Sequence, residues 1–190
     1  MLALRNIAAS LILVAVVAAP ALAQDERKDF QIFKDISDAV LSYTRFTIFD
    51  DVGASVDQGV VTLVGKVTMP FKRDDIERRT LKVAGVRRVE NRIEVLPVSF
   101  FDDDLRYLIS RAIYGNQAFW QYAAMPNPPI HIVVERGRVT LTGVVNSNVE
   151  RMLSTSLASQ FNELSIKSEL KTDEEMRRAL EKIGSIPPPS

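Results

Sequence analysis

Few side chains in this chain could do covalent chemistry. Its single histidine, His131, is the only candidate base for a Ser–His pair. It precedes Ile132-Val133-Val134 in a strand pattern with no partner at a telling spacing, so we read it as satisfying a local hydrogen bond. One histidine cannot make a multi-histidine metal site. With no cysteine there is no thiolate ligand, disulfide or cysteine nucleophile. Gly53 and Gly59 do not form a phosphate-cradling loop, because no Gly-rich strand–helix junction follows them. We therefore expect no catalytic set, metal, cofactor or small-molecule substrate.

Residues suited to contact are more numerous. Phe119, Trp120, Tyr122 and Met125 form the densest aromatic stretch, just before Pro126-Asn-Pro-Pro129. Two readings stand open: a lid over the protein's own core, or a surface that meets a bilayer or a partner. Arg136 and Arg138 flank a turn and could meet lipid phosphates, or simply be a solvated hairpin tip. Arg73 to Arg79 alternates in sign and reads as a solvated helix face. Lys plus Arg equals Asp plus Glu at 24 each, a balance unlike that of a nucleic-acid binder.

An internal repeat positions these residues. Val56 to Val67 lies over Val134 to Val145 at a shift of 78, with seven of twelve positions identical. Gly59 and Gly137 supply the positive φ of a hairpin turn, and Gly85 stops a helix. Gly65 and Gly143 sit inside strands; of a ligand approaching the backbone and a helix packing close, we read the second.

In the first copy Asp35 caps a helix bearing Ile36, Val40 and Tyr43. A strand follows over Phe46 to Val56, with Asp50 a defect on its apolar face. Then come the return strand Val60 to Val67, a helix with Ile76 and Thr80, and a strand from Val86 to Val95. The second copy has Asp102–Asp104 capping a helix with Leu105, Leu108, Ile109 and Ile113. Its hairpin spans Ile130 to Val145. Its second helix carries Val149, Met152, Leu153, Leu157 and Phe161, and its last strand Leu164, Ile166 and Leu170. Asn162 stands in for the stop glycine. The expected class is α+β: two tandem αββαβ units, each with two helices on one face of a three-stranded mixed sheet.

The ends complete the plan. Residues 1–23 have the form of a secretory signal peptide, with Arg5, an apolar run Ile7 to Val17, and a site Ala21-Leu22-Ala23 cut before Gln24. Export would be to the periplasm. Residues 24–34 read as a linker, 35–101 as domain 1, 102–172 as domain 2 with an insertion at 115–129, and 173–190 as a C-terminal helix and disordered tail. Thr172-Asp-Glu-Glu175 is a capping box for that helix. Leu96 to Phe101 is too apolar for a free tether, so the copies should pack closely around it.

The pattern Asp-x-Gly-x-Val-x-Leu-x-Gly-x-Val, then a helix, then Gly-Val-x-x-Val-x-Asn, resembles the BON domain of bacterial envelope proteins. Copy one carries Asp57, Gly59, Val61, Leu63, Gly65 and Val67, then Gly85, Val86, Val89 and Asn91. Copy two carries Glu135, Gly137, Val139, Leu141, Gly143 and Val145, but has Asn162-Glu163 and Ser168 where the later signals stood. The resemblance implies an αββαβ fold and a non-catalytic, periplasmic protein linked to phospholipid binding, osmotic or envelope stress, and envelope integrity. Its partners would be phospholipid or a membrane surface, with an envelope protein as the other choice.

Overall fold

Val61, Leu63 and Val67 alternate along one strand, and all three are completely buried. The computed structural model that shows this describes residues 21–184, with side chains over 28–179. Most of the signal-peptide segment and the Pro187–Pro189 tail lie outside the described residues.

The first unit runs α1 (Ala21–Leu41), β1 (Asp51–Asp57), β2 (Val60–Val67), α2 (Pro70–Thr80) and β3 (Arg88–Val95). Its sheet has the order β1-β2-β3, antiparallel then parallel. The second runs α3 (Phe100–Tyr114), a short α4 (Trp120–Ala123), β4 (Ile130–Glu135), β5 (Arg138–Val145), α5 (Asn148–Ala158) and β6 (Ser165–Ser168). Its sheet has the order β4-β5-β6, and a two-residue β7 (Lys171–Thr172) also pairs with β5. The architecture is thus α+β, two tandem helix-over-sheet units. A last helix, α6 (Asp173–Gly184), follows β7.

Each unit has its own core. Ile32, Ile36, Val40 and Tyr43 of the first meet Val61, Leu63, Ile76 and Ile93. Leu105, Ile109 and Ile113 of the second meet Ile132, Val134, Val139, Leu141 and Ala158. Leu108, Val149 and Met152, expected inside, are exposed. α5 instead turns its small Ser154 and Ala158 inward, which lets it lie close to the sheet.

The first helix begins earlier than its sequence suggests. Asp35 is not a cap, and the expected linker at 24–34 is helical. Asp29, Ile32, Ile36 and Val40 correspond to Asp102, Leu105, Ile109 and Ile113, each 73 residues on. The two aspartates do the same work. Asp29 accepts from the backbone N–H groups of Gln58 and Gly59 at 2.7 and 3.0 Å. Asp102 accepts from those of Arg136 and Gly137 at 2.7 and 2.8 Å. In each hairpin the central pair has positive φ, 48° and 76° in one, 51° and 73° in the other. Both N–H groups therefore point to one side, and one carboxylate satisfies them. The true cap of α3 is Ser99, whose hydroxyl accepts from the Asp102 N–H at 3.2 Å. Asp102 is fully buried, so Asp102→Ala should leave two donors without a partner and cost about 2 kcal/mol. Urea unfolding checks it, and Asp29→Ala, at a more open site, should cost less.

Asp50 is likewise no defect. The strand starts at Asp51, and residues 46–50 form turns. Asp50 is fully buried and accepts from the N–H and hydroxyl of Thr47 and Thr68, and from Lys72 Nζ at 2.6 Å. This network ties the loop before β1 to the start of α2.

Gly65 and Gly143 have φ of 126° and 112°. A Cβ there would overlap the carbonyl oxygen of Asp51 or Pro129, at the start of the neighbouring strand. The need is a positive-φ kink against an adjacent backbone, not a helix packing on the sheet and not a ligand. Gly85 has φ 90° and lies under Ile32, while Asn162, at φ 26°, holds the matching place in copy two.

The units touch through the loop before β1. Ile48 and Phe49 pack against the second core, and the Ile132 N–H donates to the Ile48 carbonyl at 2.7 Å. Asn127 Nδ2 donates to the Leu41 carbonyl. In the linker Leu96 is buried, but Val98 and Phe100 are 92% and 88% exposed, against expectation. Leu164, expected in the last strand, lies just before β6 and is 75% exposed. At the C-terminus the capping box forms as read: Thr172 and Glu175 exchange bonds between side chain and N–H. Arg151 grips the same Glu175 carboxylate at 2.9 and 3.0 Å, docking the start of α6 on its own chain. The Thr172 N–H bond, then Arg151, hold the Glu175 carboxyl below its ordinary value.

Candidate membrane-contact face

The aromatic stretch divides between core and solvent. Phe119 and Tyr122, one helical turn apart, are buried and stacked at 6.0 Å between ring centroids. Tyr122 donates to Glu150 Oε2 at 2.7 Å and accepts from the Asn146 N–H at 3.0 Å. Burial, then the bond to Glu150, pushes its hydroxyl up to about 12. Trp120 points outward at 70% exposure, and Met125 is exposed too. The segment is a lid on its buried side and a free surface on the other.

Trp120 does not meet Arg136 and Arg138. Tyr122 fixes α4 near Asn146, just past the end of β5, whereas the two arginines bracket its start. Eight strand residues separate those ends, about 26 Å at the usual rise. Copy two thus has two distinct ends. At the α4 end Trp120 is exposed, and so are Val149 and Met152 of α5, the helix whose Glu150 Tyr122 binds.

At the hairpin end lies a set that sequence reading missed. Atoms of Leu164 and Phe101 stand 3.1 and 3.4 Å from where a Cβ on Gly137 would be, so both flank the turn. Phe101 is half-exposed, and Phe100 and Val98 extend the apolar surface along the chain. Arg136 and Arg138 are exposed beside it. The Ser99 cap explains the placement, since it starts α3 with both phenylalanines in its first turn, ahead of the buried stripe from Leu105. Two aromatics just after a capping serine were the available signal.

Between the units, Lys66 is paired with Glu135 and lies 3.7 Å from Glu94. The bond to Glu135 holds the Lys66 ammonium above its ordinary value and the Glu135 carboxyl below its own. The lysine's contribution is complete below its unfolded pKa and is lost as pH rises through the folded value. The glutamate's is complete above its unfolded pKa and is lost as pH falls through the folded value. The pair therefore strengthens docking only between the carboxylate and lysine ranges. Both side chains are about one-third exposed, so Lys66→Ala should cost at most about 1 kcal/mol and weaken the salt dependence of melting. Melts at low and high salt check it.

His131 is a structural link at this junction. Its Nδ1 lies 2.6 Å from the Asp50 carbonyl and its ring 5.4 Å from that of Phe46. Among the described residues no group of His, Asp and Glu could hold a metal, and no helix is long and apolar enough to cross a membrane.

No curated protein matches the chain. Among solved structures it is similar to the C-terminal domain of CdsD, described as the structural protein of the type III secretion system of Chlamydia trachomatis, with 15% identity, 87% of this chain and 71% of that chain covered, and a TM-score of 0.32. A second CdsD structure from the same organism matches at 13% identity, over 83% of this chain and 99% of that one, with a TM-score of 0.27. The family model described as BON domain matches residues 28–97 and 117–162. The first match opens beside Asp29, which holds the first hairpin turn, and the two segments fall on the two units. The chain belongs to the BON domain family, of which it carries two copies.

Proposed function

We propose that this is an exported, non-catalytic envelope protein that holds phospholipid or a membrane surface against the hairpin end of its second BON unit. One observation carries the reading: Phe101 and Leu164 are exposed against a turn whose neighbours are Arg136 and Arg138, with exposed Phe100 next to them in the chain. Apolar groups next to guanidinium groups suit the boundary between acyl chains and anionic headgroups. The family and the leader-like start support the periplasm and a role in envelope integrity or stress tolerance.

Co-sedimentation with phosphatidylglycerol-rich vesicles tests it. The protein should pellet with them and less with phosphatidylcholine. Phe100→Ser and Leu164→Ser together should reduce binding at least tenfold, and Arg136→Ala a few-fold. No pelleting with any vesicle would remove lipid from the function.

A protein partner is favoured by the other end. Trp120, Val149 and Met152 are each exposed on α4 and α5, which the Tyr122–Glu150 bond ties together, and Trp and Met are enriched at interfaces. Recovery of one stoichiometric envelope protein, lost in Trp120→Ala and indifferent to lipid, would make this the adaptor end.

A further inference from the structure

Copy one carries a cationic groove that the fold does not require. It lies between the C-terminal ends of α1 and α2, has a volume of about 490 Å³, and is lined by Ser42, Tyr43, Asp75, Arg78, Arg79 and Lys82. Buried Tyr43 forms its floor and donates to Asp75 Oδ2 at 2.5 Å. Arg78 also pairs with Asp75. The Arg79 guanidinium is held over the Tyr43 ring, 4.6 Å from its centroid. Lys82 is exposed, and among the described residues its ammonium has no hydrogen-bond or ion-pair partner.

Two ordinary explanations fall short. Basic residues complement the negative end of a helix, but each end carries only about half a charge, so two ends offset about one unit. Asp75 offsets one more. Three cations line the groove, and Arg45, stacked on Phe71 nearby, adds a fourth. A surplus of one to two positive charges remains. The duplication supplies the second argument. α2 and α5 match at a shift of 78, which places Leu153, Ser156, Leu157 and Gln160 where copy one has Asp75, Arg78, Arg79 and Lys82. Copy two builds the same helix pair with no charge at any of these four positions.

We propose that this groove is a binding site for a phosphate group, with Arg78, Arg79 and Lys82 as its donors. Guanidinium forks match phosphate oxygens, and a lysine supplies a mobile point charge. The phosphate belongs either to a soluble ester or to a lipid headgroup. The site stands apart from the hairpin end of copy two, so either can fail alone.

The test titrates the purified protein with glycerol 3-phosphate, following the backbone amide signals of Ser42, Tyr43 and Arg79 to Val83 by NMR, with chloride at matched ionic strength as control. A saturable shift confined to those residues, at least tenfold weaker in Arg78→Ala/Lys82→Ala and unchanged in Arg136→Ala, establishes a soluble phosphate ligand. If the ester gives no shift but phosphatidylglycerol vesicles bind less well to Arg78→Ala/Lys82→Ala, the ligand is a headgroup. Both replaced side chains are exposed, so unchanged melting of the double variant confirms that the fold is intact. Shifts that chloride reproduces, or that persist in the double variant, overturn the proposal. So does silence from both ester and vesicles.

Discussion

Gly143→Ala should destabilise the protein by about 2–5 kcal/mol and lower the urea midpoint accordingly. The residue sits at φ 112°, outside the range of L side chains, which alone costs roughly 1–2 kcal/mol. The new Cβ would also overlap the Pro129 carbonyl oxygen, which leads into β4. Backbone cannot swing aside as a side chain can, so β4 must move and Ile130 leaves its buried place, at a further 1–3 kcal/mol or so. Gly65→Ala meets the Asp51 carbonyl in the same way and should cost a similar amount. The sites lie in separate sheets, so the two losses should add. A loss below about 1 kcal/mol for either would show that the kinked strand is not the reason for these glycines.

Phe119→Ala should cost about 3–5 kcal/mol, because a fully buried aromatic leaves a cavity in a core that cannot close around it. Trp120→Ala, one residue along, should change stability by no more than about 0.5 kcal/mol. The contrast follows from one helical turn that puts Phe119 and Tyr122 inside and Trp120 outside. Urea unfolding of the two variants checks it; equal losses would mean that Trp120 is part of the lid.

Much of this architecture was legible because it repeats. Period-two apolar residues and a glycine turn mark a hairpin in any context, and two hairpins in step mark a duplication. The capping box at Thr172 was equally local. The first helix was hidden because its match to α3 lies 73 residues away, not 78. The longer 115–129 segment of copy two absorbs the difference, so a search at one shift passes over Asp29. Asp50 looked like a flaw because a buried carboxylate is explained only by the threonines and lysine that converge on it from elsewhere in the chain. On α5 the apolar residues spread over more than one face; packing turns Ser154 and Ala158 inward with Leu153 and Leu157 against the core, and leaves Val149 and Met152 outside. Leu96 to Phe101 reads as interface because it is apolar. The contact is made instead by Ile48 and Phe49, whose segment reads as strand.

These differences change the functional picture. Trp120 and the two arginines all have contact chemistry in the sequence, and the fold places them at opposite ends of β5. The phenylalanines of the linker move from the interior to the surface and join Arg136 there. That leaves a duplicated unit whose second copy shows apolar groups at both ends while its first copy gathers positive charge between its helices.

Tryptophan emission tests the account most directly, since Trp120 is the only tryptophan. In a Trp120→Phe background, Phe100→Trp places the sole reporter at the hairpin end. Addition of phosphatidylglycerol vesicles should blue-shift its emission and shield it from an aqueous quencher, while Trp120 in the native protein stays red-shifted and quenchable. A reporter at position 100 that stays fully quenchable with every vesicle composition would contradict membrane contact at this end.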